Sequence, residues 1–297
     1  MKYKHSTRKN HHHIMEKHLV PRFGDLAVSD VTTQEIQSYV THLANAGYAP
    51  KSIDHIHDVL SAILRSAVKW GHLPTNPAHG VEMPRLNTVR PKWALTVEQA
   101  SALVVHLPGR LPRTLVGLAL LTGLRRGELF ALRWWDLDEG NRTLHVRAAV
   151  YEGVFDDPKT RASLRTIPLP DAAMRLLSSW KERARRTGEQ ELVFSTASGK
   201  PISPNNILRR WVWPACKSAG IERATWLTFR RTYSSWTHDK GVPAKVIAQV
   251  MGHTKVDTTM NVYTQVLDGA ARAAADRVGT ELFRIVQNLE GATERAH

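Results

Sequence analysis

The chain has 297 residues, 42% of them hydrophobic, and its 41 basic against 27 acidic residues give a net charge of +14. That length suits one large domain or two ordinary ones, and the apolar content excludes a disordered chain. Such charge concentrates polyanions, so nucleic acid is the natural partner and a membrane surface its competitor, yet no apolar run approaches the roughly 20 residues that span a bilayer.

The opening MKYKHSTRKNHHH is basic but lacks the apolar stretch of a secretory signal. VTTQEIQSYVTHLANAGY carries a capping signal at Thr32 or Thr33 with Glu35 and ends at Gly47, which predicts a helix. SIDHIHDVLSAILRSAVKWGHL repeats apolar residues at helical spacing (Ile53, Ile56, Val59, Leu60, Ile63, Leu64) and stops at Gly71. VEMPRLNTVRPKW, with Pro84 and Pro91 and little periodicity, predicts a linker over residues 86–93. The expected organisation is a helical domain over 1–85, a second domain over 94–268, and a terminal helix or tail over 269–297.

Beyond the linker, LTVEQASALVVHL and PRTLVGLALLTG predict helices, the second ending at Gly123, with a short helix in RRGELFALRW directly after. RTLHVRAAVY and SLRTIPLP are β-branched and alternating, with DDPKTRA between them, which predicts one small antiparallel hairpin. DAAMRLLSSWKERARRTG and SPNNILRRWVWPACKSAG return to helix, the latter capped by Ser203 with Pro204 at its first position. In TWLTFRRTYSSW, Thr228 reads as an N-cap, which would put Arg230 and Arg231 in the first turn. VPAKVIAQVMG runs from Pro243 to Gly252, and ARAAADRVGTELFRIVQNL carries Val278, Leu282, Ile285, Val286 and Leu289 on one face. The fold class expected is mainly α with a small antiparallel β-sheet, an α+β arrangement. Cys216, the single cysteine, lies among apolar residues and has no internal partner, so the expected setting is a reducing cytoplasm.

Metal chemistry finds little support. His11, His12 and His13, with His5 and His18, match no tetrahedral spacing and have no thiolate beside them. Asp136, Asp138 and Glu139, or Asp156 with Asp157, could hold magnesium in a nuclease, but both groups fall in expected turns, where aspartate serves the backbone. No P-loop, dinucleotide fingerprint or serine-hydrolase elbow is present.

Cations in special places are more informative. Arg125 in LTGLRRGEL follows a glycine break, Lys159 in PKTRASLRTIPL sits at the expected hairpin tip, and Arg230 in FRRTY sits at an expected helix start. A helix N-terminus joined by guanidinium groups is an anion site, so that turn is expected to face a phosphate. His253 follows the helix-ending Gly252, and Tyr263 comes ten residues later in VMGHTKVDTTMNVYTQV.

In that order, Arg125, Lys159, Arg230, His253 and Tyr263 resemble the catalytic set of the tyrosine recombinases, the phage integrases. TGLRxxEL is matched by Thr122 to Leu129, KTxxSxRxIPL from Lys159 to Leu169, LRRT by FRRT, and the Gly-His pair and tyrosine by MGHTKVDTTMNVY. The resemblance spans residues 94 to about 268 and likens the first domain to the family's core-binding domain. It implies a site-specific DNA recombinase, with Tyr263 attacking a phosphodiester to form a 3′-phosphotyrosine for integration or excision of a mobile element. Arg125 and Arg230 would hold the non-bridging oxygens, Lys159 would protonate the departing 5′ oxygen, and His253 would donate to the phosphate or assist proton transfer. Glu128 would hold the Arg125 region together. Arg126, Arg161, Arg165, Arg231 and Lys51 are the cations expected on DNA.

The resemblance further implies double-stranded DNA with attachment-like sites as partner and a homotetramer on two duplexes, each protomer clamping DNA with both domains. An accessory bending or directionality protein is a further expected partner, and neither metal nor ATP is required. The arm-binding domain of many relatives is expected to be missing or truncated, and the apolar face over 278–289 is a candidate for docking on a neighbour. One position departs: the family's histidine three residues before the second arginine is Leu227, and His238, eight residues downstream, is a poor substitute. That departure supports the rival reading, a catalytically weak or inactive DNA-binding regulator. A type IB topoisomerase and a metal-dependent nuclease are the further rivals.

Overall fold

The computed structural model describes residues 3–85, 93–156 and 164–253. The chain divides into two compact units, Met1–Pro91 and Lys92–His297.

In the first unit, α1 (His5–Ile14) passes through a π-helical turn (Met15–Leu19) into α2 (Val20–Phe23), and α3 (Thr33–Asn45) and α4 (Pro50–Lys69) follow. The His11–His13 run lies on α1 rather than in a loose terminus, with His12 beside Glu16 at 3.1 Å. Thr32 caps α3 by accepting from the Glu35 amide. Ile36, Val40 and Leu43 on α3 meet Ile53, Ile56, Leu60 and Leu64 on α4 in one apolar core. Ile63, placed by periodicity on the same stripe, is 42% exposed: it lies at the stripe's edge and faces water.

The second unit opens with α5 (Val97–His106) under a capping box of Thr96 and Gln99, then α6 (Arg110–Thr122) and the single turn α7 (Arg126–Leu129). α6 packs against α8 (Asp171–Lys181) and α11 (Trp226–Asp239), with Leu115, Val116, Leu118 and Ala119 fully inside. It ends at Gly123, whose φ of 61° is left-handed and where a Cβ would stand 2.4 Å from the Tyr233 ring. Only glycine serves both needs.

The expected single hairpin is two ladders. β2 (Thr143–Val146) pairs with β1 (Leu137–Asp138) and, antiparallel, with β5 (Arg165–Pro168), in a register setting Val146 opposite Arg165. β3 (Ala149–Tyr151) folds instead onto β4 (Val154–Asp156). Glu152 and Gly153 between them have φ of 49° and 82°, and consecutive positive φ values make a tight hairpin turn that closes early. A turn directly after the first predicted strand thus folds its last residues back onto Val154–Asp156 instead of leaving them to pair with the second. The fold class is nonetheless mainly helical with small antiparallel sheets.

α9 (Pro204–Ile207) is capped by Ser203 and continues through a π-helical turn (Leu208–Val212) into α10 (Trp213–Ser218), where Cys216 is buried. α11 begins earlier than expected. Its N-cap is Thr225, whose hydroxyl accepts from the Thr228 amide while the Thr225 amide donates to Thr228 Oγ1. Trp226 decides between the two threonines. Its ring packs edge-on against Phe130 and Phe229, and its indole N–H reaches the Pro204 carbonyl, so it must belong to the helix. α12 (Ala244–Met251) has Pro243 at its N-cap and ends at Gly252, left-handed at φ 69°.

Candidate active site

Three loose ends meet in the second unit: the start of α7, the inner face of α11, and the C-terminus of α12. Arg125 is the N-cap of α7, extended at φ −68° and ψ 148°. Glu128, three residues on, reaches back to accept from the Arg125 amide at 2.9 Å and from Arg125 Nη1 at 2.8 Å. Arg125 Nη2 donates to the Gly252 carbonyl at 2.6 Å, and the side chain stays 38% exposed, so one face of the guanidinium is open.

Arg230 approaches from the other side. With α11 starting at Trp226, it is the fifth residue of the helix, not part of its first turn, so the expected anion site on helix-end amides is not what places it. Its side chain crosses the interior at 3% exposure and donates through Nη1 to the Gly123 carbonyl and through Nη2 to the Met251 carbonyl at 2.8 Å. The same Nη2 stands 2.6 Å from His253 Nε2. A guanidinium has no acceptor, so Nε2 accepts and the proton of the neutral ring is on Nδ1. Burial, then the positive charges of Arg230, Arg125 and Arg165, push the His253 pKa down to about 3, with Glu128 opposing.

Arg165, expected on DNA, has a side chain only 6% exposed, with Nη1 and Nη2 on the two Glu128 oxygens at 3.1 and 2.8 Å and Nε on the Val250 carbonyl at 2.6 Å. The β5 alternation held the clue, because Arg165 shares a strand face with the buried Ile167. Burial works to raise the Glu128 pKa, but Arg165 and Arg125 hold it below the usual carboxylate range. Three guanidiniums therefore surround one ionised carboxylate and a neutral imidazole. The two net positive charges left over suit a phosphodiester and the further negative charge that gathers on phosphorus during attack.

Sequence reading also passed over Tyr233. Its half-buried ring fills the space over Gly123, and burial raises its pKa against the lowering pull of Arg165 and Arg230. Of the other expected residues, Arg126 is exposed with its guanidinium 6.0 Å from the Tyr151 ring centre, and Arg231 is half-buried next to Arg230. Lys51 is exposed in the first turn of α4, 3.4 Å from Asp54. Leu227 is the second residue of α11 and 42% exposed, and His238 lies in the helix's last turn. Lys159, Arg161, Tyr263 and the apolar face over 278–289 lie outside the described residues. Among the described residues no cluster of three or more His, Cys, Asp or Glu side chains could hold a metal ion, and no helix is long and apolar enough to cross a membrane. Asp136 and Asp138 serve turns, accepting from the Arg133 and Asn141 amides.

A cationic clamp hung on a helix end and a small sheet is the equipment of a phosphodiester strand transferase, and the chain belongs to the phage integrase family, which matches residues 94–269. It is a tyrosine-type site-specific DNA recombinase, and residues 2–44 match the phage integrase N-terminal SAM-like domain. A tyrosine recombinase XerC-like protein of Caldanaerobacter subterraneus subsp. tengcongensis is 28% identical over 271 residues, covering 82% of this chain and 69% of that protein. In fold, the chain is similar to the Tn1549 transposon integrase in complex with transposon right end DNA, with a TM-score of 0.78, 22% identity, and coverage of 94% and 95% of the two chains. It is similar also to the lambda integrase of a tetramer bound to a Holliday junction, with a TM-score of 0.67, 22% identity, and coverage of 90% and 74%.

Proposed function

We propose that this recombinase cuts duplex DNA at attachment-like sites with Tyr263 as nucleophile, working as a homotetramer on two duplexes to integrate or excise a mobile element. The phenolic oxygen gives its proton to water and attacks phosphorus, the bond from phosphorus to the 5′ oxygen breaks, and Lys159 protonates that departing oxygen, which leaves as a 5′ hydroxyl. The 3′-phosphotyrosine keeps the bond energy, and attack by another 5′ hydroxyl reverses the step. A phenol with a pKa of about 10 is only about a thousandth ionised at neutral pH, a deficit of roughly 4 kcal/mol that neighbouring cations offset.

The observation carrying this reading is the convergence of Arg125, Arg230 and His253 on the Met251–Gly252 turn. Arg125 and Arg230 hold the non-bridging oxygens. The arriving phosphate draws Arg230 toward itself and raises the His253 pKa by its negative charge, turning Nε2 from acceptor into donor. Arg126, Arg161, Arg231 and Lys51 contact the DNA backbone, and Glu128 holds Arg125 in place. The neighbours' crystallised assemblies, integrases with transposon DNA and on a Holliday junction, support the DNA substrate and the tetramer. The setting is the cytoplasm, and an accessory bending or directionality protein joins the complex.

The test is a nicked suicide substrate. Wild-type protein should form a protein–DNA adduct stable to boiling detergent and Tyr263→Phe should form none; an adduct that persists in the Phe variant removes the tyrosine from its role.

A further inference from the structure

We propose that Arg165 is the positioning residue of this site, a buried crosspiece that sets Arg125 and the His253 turn relative to one another and does not touch DNA. This rests on the recombinase reading above. Its three donor groups are committed inside the protein, to both oxygens of Glu128 and to the Val250 carbonyl. Two of these bonds lead to the carboxylate beside Arg125 and the third to the helix end before His253. Glu128 Oε1 is shared between Arg165 and Arg125, so Arg165 fixes the carboxylate on which Arg125 leans. Val250 lies in the last turn of α12, three residues before His253.

Arg165 itself is anchored by the sheet, since β5 pairs with β2 at Val146, and Arg165 faces inward with Ile167. At Gly252 a Cβ would stand 2.9 Å from Arg165 Nη1 and 3.1 Å from Arg125 Nη1, so both guanidiniums lie against bare backbone. Lysine offers a point charge on a flexible stem, not a planar fork with donors in three directions. Without the crosspiece Glu128 can swing with Arg125, and a misplacement of about 1 Å in such a site costs on the order of a hundredfold in rate.

The experiment compares Arg165→Lys and Arg165→Met with wild type in single-turnover adduct formation, in DNA affinity against salt, and in the titration of the His253 imidazole followed by NMR. Adduct formation should fall about a hundredfold in both variants, while affinity and its salt slope stay at the wild-type values. A side chain that contacts phosphate would instead lower the slope by about one, and that result overturns the proposal. So does a lysine variant that cleaves at the wild-type rate.

The imidazole gives a reading independent of activity. Among the described residues Arg230, Arg125, Arg165 and Glu128 are the charged groups that act on it, so removing the Arg165 charge in Arg165→Met should raise its titration midpoint from about 3. An unmoved midpoint means Arg165 does not act on the site and also overturns the proposal. Should wild type form no adduct, the recombinase reading fails on its own, while the midpoint still decides the place of Arg165. If the methionine variant does not fold, Arg165→Gln supplies the midpoint, and the lysine variant, which keeps the charge, carries the rate and the affinity.

Discussion

Arg230 and His253 share one hydrogen bond in the resting protein, Nη2 to Nε2 at 2.6 Å, while burial, with the charges of Arg230, Arg125 and Arg165, holds the imidazole neutral. Below a pH of about 6.5 the unfolded chain binds a proton at this residue and the folded chain does not, down to about 3. The unfolded state then holds more protons, so stability is complete above that window and falls as pH drops through it. Thermal unfolding of wild type and His253→Gln from pH 7 to pH 4 checks this. Wild type should lose Tm over the range, and the glutamine variant should lose distinctly less, keeping the loss due to Glu128 and the other carboxylates.

Gly123 should tolerate no side chain. A left-handed residue other than glycine costs about 1–2 kcal/mol, and here a Cβ also meets the Tyr233 ring at 2.4 Å. Gly123→Ala is expected to destabilise by about 2–4 kcal/mol, since overpacking alone costs about 1–3. Adding Tyr233→Ala should remove the steric share, so denaturant unfolding of the double variant should show less destabilisation than the sum of the singles.

Leu227→His should speed cleavage. Leu227 stands at the second position of α11 and is 42% exposed, so an imidazole fits there without repacking the core. A positioned proton carrier is worth about a hundredfold or more when aligned. Without a surrounding built for it, a gain of about tenfold in single-turnover adduct formation is expected. A rate at or below wild type would mean that proton transfer at this site runs through another group.

DNA affinity should fall steeply with salt, as the +14 charge requires. Arg126→Ala and Lys51→Ala should each reduce the slope of log affinity against log salt by about one, with little change in the rate of cleavage once bound. Fluorescence anisotropy across a salt series reads the slope, and an unchanged slope removes that residue from the interface.

The helices were legible because their periodicity and caps are local: Ser203, Gly47 and Gly123 mark ends that sequence alone locates, and of Thr32 and Thr33 it is Thr32 that caps α3. The start of α11 was not, since Thr225 and Thr228 are equivalent caps on paper and the choice rests on Trp226 packing against Phe130, nearly a hundred residues away. The two-ladder sheet escaped for the opposite reason, a local turn at Glu152–Gly153 just past the alternating stretch, which returns its end onto Val154–Asp156. Motif order found Arg125, Arg230 and His253, but not the carbonyls they bind. Arg165 was assigned to DNA because charge suggests solvent, whereas strand parity placed it inside.

The carbonyls of Val250, Met251 and Gly252 each take a hydrogen bond from a different arginine of the clamp. The end of one short helix is therefore finished by the guanidiniums of the proposed clamp and its crosspiece. Fraying that last turn would release all three guanidiniums together, so a substitution that loosens α12 far from the cations would disturb the whole clamp at once.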